Sequence, residues 1–184
     1  MKNLLVIPDQ HAHPDFNNNR ADWLGKLIID TLNHDPDPER RAAAAFLIGH
    51  FTNPHEIVSL LSPHVSDPSS FVRNNVLRVL GATIQKAKIT QINVPPLLDL
   101  LDSPFDTDRN KALWVLYTAA DEPKSKPVII QQGGKKLVSL LRLKQPNNHQ
   151  LAYEVLLKVS GKNFGENDLV SWENWLRSAQ RGMT

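Results

Sequence analysis

Near its start the chain reads VIPDQHAHPD, which sets Asp9, His11, His13 and Asp15 at alternate positions. Carboxylate oxygens and imidazole nitrogens are ligands for hard or borderline cations, and this spacing is the kind that follows the first strand of a metal-dependent hydrolase. A metal site needs further ligands from elsewhere in the chain, and the apolar run Leu4–Ile7 needs partner strands for its backbone donors and acceptors. No other alternating apolar run offers itself as a partner. The other histidines that carry side-chain chemistry, His34, His50, His55, His64 and His149, are scattered over turns and helix ends. Ser59, Ser62 and Ser66 lie beside apolar positions with no nucleophile-elbow context. Gly133-Gly134 reads as a helix-start turn, short of the longer glycine string and Lys-Ser/Thr ending of a phosphate loop. The stretch DEPKSKP at 121–127 reads as a solvated inter-helix loop.

Composition narrows the classes. A chain of 184 residues accommodates one domain with a sizeable core. Hydrophobic residues make up 41% and charged residues 22%, as in a soluble globular protein. A net charge of +2 does not argue for nucleic acid as a partner. Cysteine is absent, which removes disulfides, thiolate ligands and cysteine nucleophiles. No apolar run approaches the ~20 residues of a membrane span, and MKNLLVIPDQ is too short in its apolar part for a signal peptide. The expectation is a cytoplasmic protein with no membrane association and no cofactor.

An internal repeat organises most of the chain. RAAAAFLIG from Arg41, RNNVLRVLG from Arg73, RNKALWVLY from Arg109 and YEVLLKVSG from Tyr153 superimpose in one column register, at intervals close to the period of helical solenoids. Apolar columns run through Ala44, Val76, Ala112 and Leu156, through Ala45, Leu77, Leu113 and Leu157, and through Leu47, Val79, Val115 and Val159. Such spacing predicts the buried face of an amphipathic helix. Each segment is preceded by a second apolar run closed by a polar-proline turn: Asp37-Pro38, Asp67-Pro68, Ser103-Pro104 and Gln145-Pro146. Asp or Ser can cap a following helix, and Pro suits its first turn. The unit is therefore helix, turn, helix, repeated about four times, and each hairpin needs stacked neighbours to bury its apolar faces.

These segments resemble the HEAT and armadillo repeat families. DPERRAAAAFLIG and DPSSFVRNNVLRVLG look like the HEAT pattern, with Asp-Pro opening the second helix and Arg in its first turn. Residues 110–141 look armadillo-like: an Ala-Leu-Trp helix, a connecting stretch, then Gly-Gly opening the next helix. The resemblance covers roughly residues 23–161 and implies an all-α fold, a right-handed α-solenoid of about nine or ten helices with a C-terminal capping helix. It also implies that Arg41, Arg73 and Arg109 contact the turn Asp of their own or a neighbouring repeat. Asp37 and Asp67 match that Asp, while the third repeat has Ser103 there with Asp106 or Asp108 nearby. Asn167 or Asp168 can cap the last helix, with Trp172 and Trp175 on one face over the end of the stack. The expected division is an extension over 1–19 outside the core, repeats over 20–161 and a cap over 162–184.

Residues 4–28 also resemble the first motif of calcineurin-like metallophosphoesterases, in which Asp9 and His11 would be two ligands of a two-metal centre. The same string is similar to the first strand of amidohydrolase barrels, where His11 and His13 would be the ligands. A phosphoesterase also needs a Gly-Asp turn, a Gly-Asn-His-Asp/Glu turn and later histidines. The nearest imitations, Ile48-Gly49-His50 and Asn53-Pro54-His55-Glu56, read as the end of one repeat helix and the start of the next.

The reading preferred from the sequence is a non-enzymatic interaction scaffold that binds a protein or peptide partner on the concave face of the stack. The alternative is a metal-dependent phosphoesterase using Asp9, His11 and His13. A HEAT-type DNA-binding protein would want a face richer in Lys and Arg. On the repeat register the column Phe46, Arg78, Trp114 and Lys158 points away from the first-helix layer, with Asn74 and Asn110 one turn earlier. Armadillo proteins present Trp, and Asn four residues on, to an extended peptide; Trp114 matches the former, and Thr118 stands at the latter.

Overall fold

The computed structural model describes residues 14–182, with side chains from Asp22 onward. Among them are ten α-helices and no strand. They are α1 (Pro14–His34), α2 (Pro38–Ile48), α3 (Pro54–Leu61), α4 (Ser70–Ala87), α5 (Pro95–Asp99), α6 (Asp106–Ala119), α7 (Ser125–Val128), α8 (Gly134–Leu140), α9 (Pro146–Ser160) and α10 (Leu169–Arg181). Short 3-10 turns, Ser62–Ser66 and Leu100–Asp102, extend α3 and α5, and a wide π turn at Ile129–Gly133 joins α7 to α8.

Local chemistry sets the helix starts. Proline occupies the first turn of α2, α3, α5 and α9, where its missing N–H removes no helical bond. The Asp37 carboxylate accepts from the Glu39 amide, Asn53 accepts from the amides of His55 and Glu56, and Asp168 caps α10 through the Ser171 amide. Gly161 ends α9 at φ 64°, a left-handed position that costs glycine nothing. At the end of α4 the same conformation falls to Lys88, at φ 55°.

Packing makes an α-solenoid. First helices α1, α3, α5 and the α7–α8 run pair with second helices α2, α4, α6 and α9, and the second helices stack side by side in chain order. One continuous core runs between the layers, from Leu32, Ala45 and Ile48 through Val76, Leu80 and Ile84 to Leu116, Leu137 and Leu156. Helix α10 closes the far end. Trp172, fully buried, meets Tyr153, Phe164 and Trp175 edge to face and donates its indole N–H to the Gly165 carbonyl at 3.1 Å.

Four details depart from the sequence reading. The residues preceding the second helices are Asp37, Ser69, Phe105 and Gln145, and the amide four residues on bonds back to each: Arg41, Arg73, Arg109 and His149. The fourth repeat is therefore in register at His149, one helical turn before Tyr153. A four-residue slip nearly preserves the apolar face of a 3.6-residue helix, so sequence periodicity could not separate the two registers. Second, Asp37-Pro38 and Asp67-Pro68 are not equivalent. Asp37 is the N-cap of α2, whereas Asp67 precedes the α4 cap Ser69 and holds its amide at 2.8 Å. By register Asp67 matches Asp35, which holds the Asp37 amide in the same way.

Third, Gly133-Gly134 does not open a helix from a loop. Both glycines lie inside the helical run that starts at Ser125, within the stretch expected to be a solvated loop. What they provide is close approach: a methyl group at Gly133 would stand 2.6 Å from Leu98 Cδ2, and one at Gly134 would overlap Leu176. Fourth, Leu47 is 45% exposed although Val79 and Val115 in its column are buried. Val79 lies against Gly49 of the preceding repeat, so the column faces backwards along the stack, and among the described residues no other second helix stands before α2.

Candidate functional site

Two surfaces gather polar or aromatic side chains: the turns between paired helices and the outer face of the second helices.

At the turns, the first two repeat arginines work in two directions. Arg41 Nη1 donates to its own turn carbonyls, Asp35 and Pro36, while Nε and Nη2 reach the Asp67 carboxylate of the next repeat at 3.0 Å each. Arg73 does likewise with the carbonyls of Asp67 and Pro68 and the Asp108 carboxylate. Asp108, rather than Asp106, is the residue taken up, and the Ser103 hydroxyl donates to it at 2.7 Å. Arg109 keeps its own-turn bond to the Ser103 carbonyl, but the position equivalent to Asp108 in the fourth repeat is Asn148. Arg109 Nε and Asn148 Oδ1 are both buried without a partner. Burial works to raise the Asp67 carboxyl, and the Arg41 hydrogen bond and Ser69 amide outweigh it, so the group titrates below the usual carboxylate range. The Arg41 guanidinium is raised by the same bond. These groups are tied to one another and tie neighbouring repeats together.

The second-helix face carries the residues singled out from the sequence. Phe46 on α2 is exposed and meets His50 edge to face, with ring centres 5.4 Å apart. Arg78 on α4 is exposed, and Asn74 on the same helix is half-buried. On α6 Asn110, Trp114 and Thr118 are half-buried, and Asn110 donates to the Asn147 carbonyl of α9. Trp114 packs against the preceding repeat, where a methyl group at Gly81 would come within 2.7 Å of its ring. The fourth-repeat equivalent of Phe46, Arg78 and Trp114 is Glu154 in the corrected register. Lys158 stands one turn on, beside Thr118. It is also engaged: its ammonium sits 3.9 Å from the Tyr117 ring centre and donates to the Tyr117 carbonyl and to Asp121.

Sequence reasoning passed over Lys111. It lies on α6 in the column that faces back towards α4, and no carboxylate pairs with it or with Arg78 among the described residues. Burial, and then the charge of Arg78, lower the Lys111 ammonium from its ordinary value. The signal was available only as a lysine at an inward-leaning helical position.

Asp9, His11 and His13 lie outside the described residues. Ile48 and Gly49 end α2, and Asn53 caps α3, so both imitations of phosphoesterase turns are repeat boundaries. Among the described residues no group of three His, Cys, Asp or Glu side chains is placed to hold a metal ion, and no helix is long and apolar enough to cross a membrane.

Comparison with known proteins agrees with this geometry. Two crystal structures of engineered proteins from the Northeast Structural Genomics Consortium are similar, each with a TM-score of 0.61 and 18% identity over 84% of this chain. The match covers 67% of one and 69% of the other, and at that identity the likeness is one of fold. No curated protein sequence matches. The profile of HEAT repeats matches residues 25–117, which span the second half of α1, the whole of α2 to α5 and nearly all of α6. With its stacked pairs and the turn arginines that link them, the chain belongs to the HEAT-repeat family.

Proposed function

We propose that the chain is a non-catalytic scaffold that binds a protein or peptide on the concave face formed by its second helices. HEAT repeats serve as protein-interaction modules. The observation that carries the reading here is a local one: Arg78 and Lys111 stand unneutralised on adjacent second helices, with Asn74, Asn110 and the Trp114 ring around them. Two cations without carboxylates, beside an aromatic surface, complement a segment with acidic groups and an apolar anchor. Phe46 extends the row at one end, and Thr118 and Lys158 continue it one turn further along. Glu154 opposes a polyanion running the length of the face, which favours a peptide over nucleic acid.

On this reading residues 20–161 form the interaction body, 162–184 its cap and 1–19 an extension, and the protein works in the cytoplasm without a cofactor. The test is affinity capture from the native host with the full chain and with Trp114→Ala combined with Arg78→Ala. The variant should keep its helical circular dichroism and lose the captured protein. Because Trp114 packs on Gly81, Arg78→Glu at an exposed position combined with Lys111→Gln at a half-buried one serves as a second variant with the same expected loss. Capture that survives both would place the partner elsewhere. Purified protein should show no phosphodiesterase turnover with manganese, and turnover abolished by Asp9→Ala would replace this reading with the metalloenzyme one.

A further inference from the structure

The first repeat has an unusual free side. Three columns of each second helix face the preceding repeat. In the second repeat they hold Val72, Asn75 and Val79, and Asn75 donates to the Ala42 carbonyl of α2 at 3.0 Å. In the third they hold Asp108, Lys111 and Val115, with Asp108 taking the Arg73 guanidinium. In the first they hold Arg40, Ala43 and Leu47, and all three are exposed. The same asymmetry appears on α1. Its Asn33 flank faces the next repeat, through the hydrogen bond to His64 at 2.9 Å and the groove where Asp22 and Lys26 meet His50 and Glu56. At 100° per residue the opposite flank carries Leu24 and Leu27, which are 49% and 45% exposed, while Trp23, 62% exposed, lies on the outer side of the helix between the two flanks. The turn at residues 35–37 makes α1 and α2 an antiparallel hairpin, so Leu24 and Leu27 lie at about the same height as Leu47.

Leu24, Leu27, Ala43 and Leu47 thus form one apolar end face, with Arg40, beside Asp35 and Asp37, at its rim. A contiguous patch of this kind marks an interaction surface, and repeat arrays ordinarily close their ends with polar caps. The far end is closed: α10 turns Trp172 and Leu176 inward and shows Asn174, Arg177, Ser178 and Arg181 to solvent.

We propose that this end face is a homodimer interface, in which the first repeats of two copies stack across a two-fold axis. The columns involved are those that bury against a neighbouring helix pair at every internal repeat boundary, so the face is shaped for a helix pair. The same face of a second copy presents an apolar row of matching length. The polar cap on α10 offers no complement for a head-to-tail contact. The rim carries both signs, which suits self-pairing better than a strongly acidic or basic partner. A self-complementary patch closes at two copies and does not propagate.

Light scattering coupled to size exclusion, on the full chain across a concentration series, tests this. The expected result is a mass twice the 20.7 kDa of one chain, falling to a single chain in Leu24→Glu with Leu27→Glu. Both positions are exposed, so helical signal and melting temperature should hold. Since the sequence has no cysteine, Leu24→Cys offers a second readout: it should form a disulfide-linked dimer on oxidation, whereas Ser178→Cys on the α10 cap should not. A single-chain mass at every concentration overturns the proposal. In that case a Leu24→Cys thiol shielded from a maleimide means the face is covered from within the chain, and a reactive one means it awaits a different protein. Species larger than a dimer, or a dimer that survives the double glutamate change, overturn it as well.

Discussion

Nε and Nη2 of Arg73 both donate to Oδ2 of Asp108, at 3.0 and 2.6 Å, and that carboxylate has no exposed side-chain surface. The bond crosses from one repeat to the next, while Nη1 of the same guanidinium holds the turn of its own repeat. Removing one partner strands a buried charge; removing both need not. Arg73→Ala should cost about 3–5 kcal/mol of stability. Arg73→Met combined with Asp108→Leu should be less destabilised than the single change, and urea denaturation of both proteins measures it. A double variant as unstable as Arg73→Ala, or more so, would show that the stranded charge is not the source of the loss.

The rung one repeat earlier gives a pH dependence. Asp67 titrates lower in the folded protein than the value of about 3.9 expected when unfolded. A depressed carboxylate adds stability that is complete above the unfolded value and disappears as pH falls through the folded one. The melting temperature of the native protein should therefore exceed that of Asp67→Asn by a level margin near neutral pH. That margin should shrink below about pH 4. A margin unchanged down to pH 2.5 would mean Asp67 contributes through shape alone.

Trp172 is the anchor of the cap. It is wholly buried, with three aromatic rings around it and its indole N–H bonded. Trp172→Ala should cost about 3–5 kcal/mol. Because each repeat contacts mainly its neighbours, the loss should appear first at α10 and α8. Hydrogen exchange should show those helices opening while α2 and α4 stay protected; uniform loss of protection would contradict the nearest-neighbour picture.

Lys88 offers a change in the opposite direction. Its backbone adopts the left-handed conformation that ends α4, and its side chain is exposed. Residues with a Cβ bear about 1–2 kcal/mol of strain there, and glycine bears none. Lys88→Gly should raise the melting temperature, with part of the relief offset by the added freedom of the unfolded chain. A lowered melting temperature would mean the Lys88 side chain makes a stabilising contact in solution.

The sequence by itself determined the helical repeat. Apolar residues at helical spacing, recurring from Arg41 to Arg109 with Asp, Asn and Pro at the turns, leave a stacked hairpin array as the way to bury those faces, and capping chemistry is local enough to read directly. Three matters belonged to the tertiary structure. The register of the fourth repeat was ambiguous, since a slip of four residues rotates a helix by only a small angle. The pairing of Arg73 with Asp108 rather than Asp106 depends on which carboxylate the stacking of α4 on α6 carries inward. The exposure of Leu24, Leu27 and Leu47 is invisible in a periodic pattern, because the column of Leu47 is buried at Val79 and Val115, where a described repeat stands before it, and exposed at Leu47. Periodicity tells which residues seek cover, and only the neighbours in space decide which of them find it.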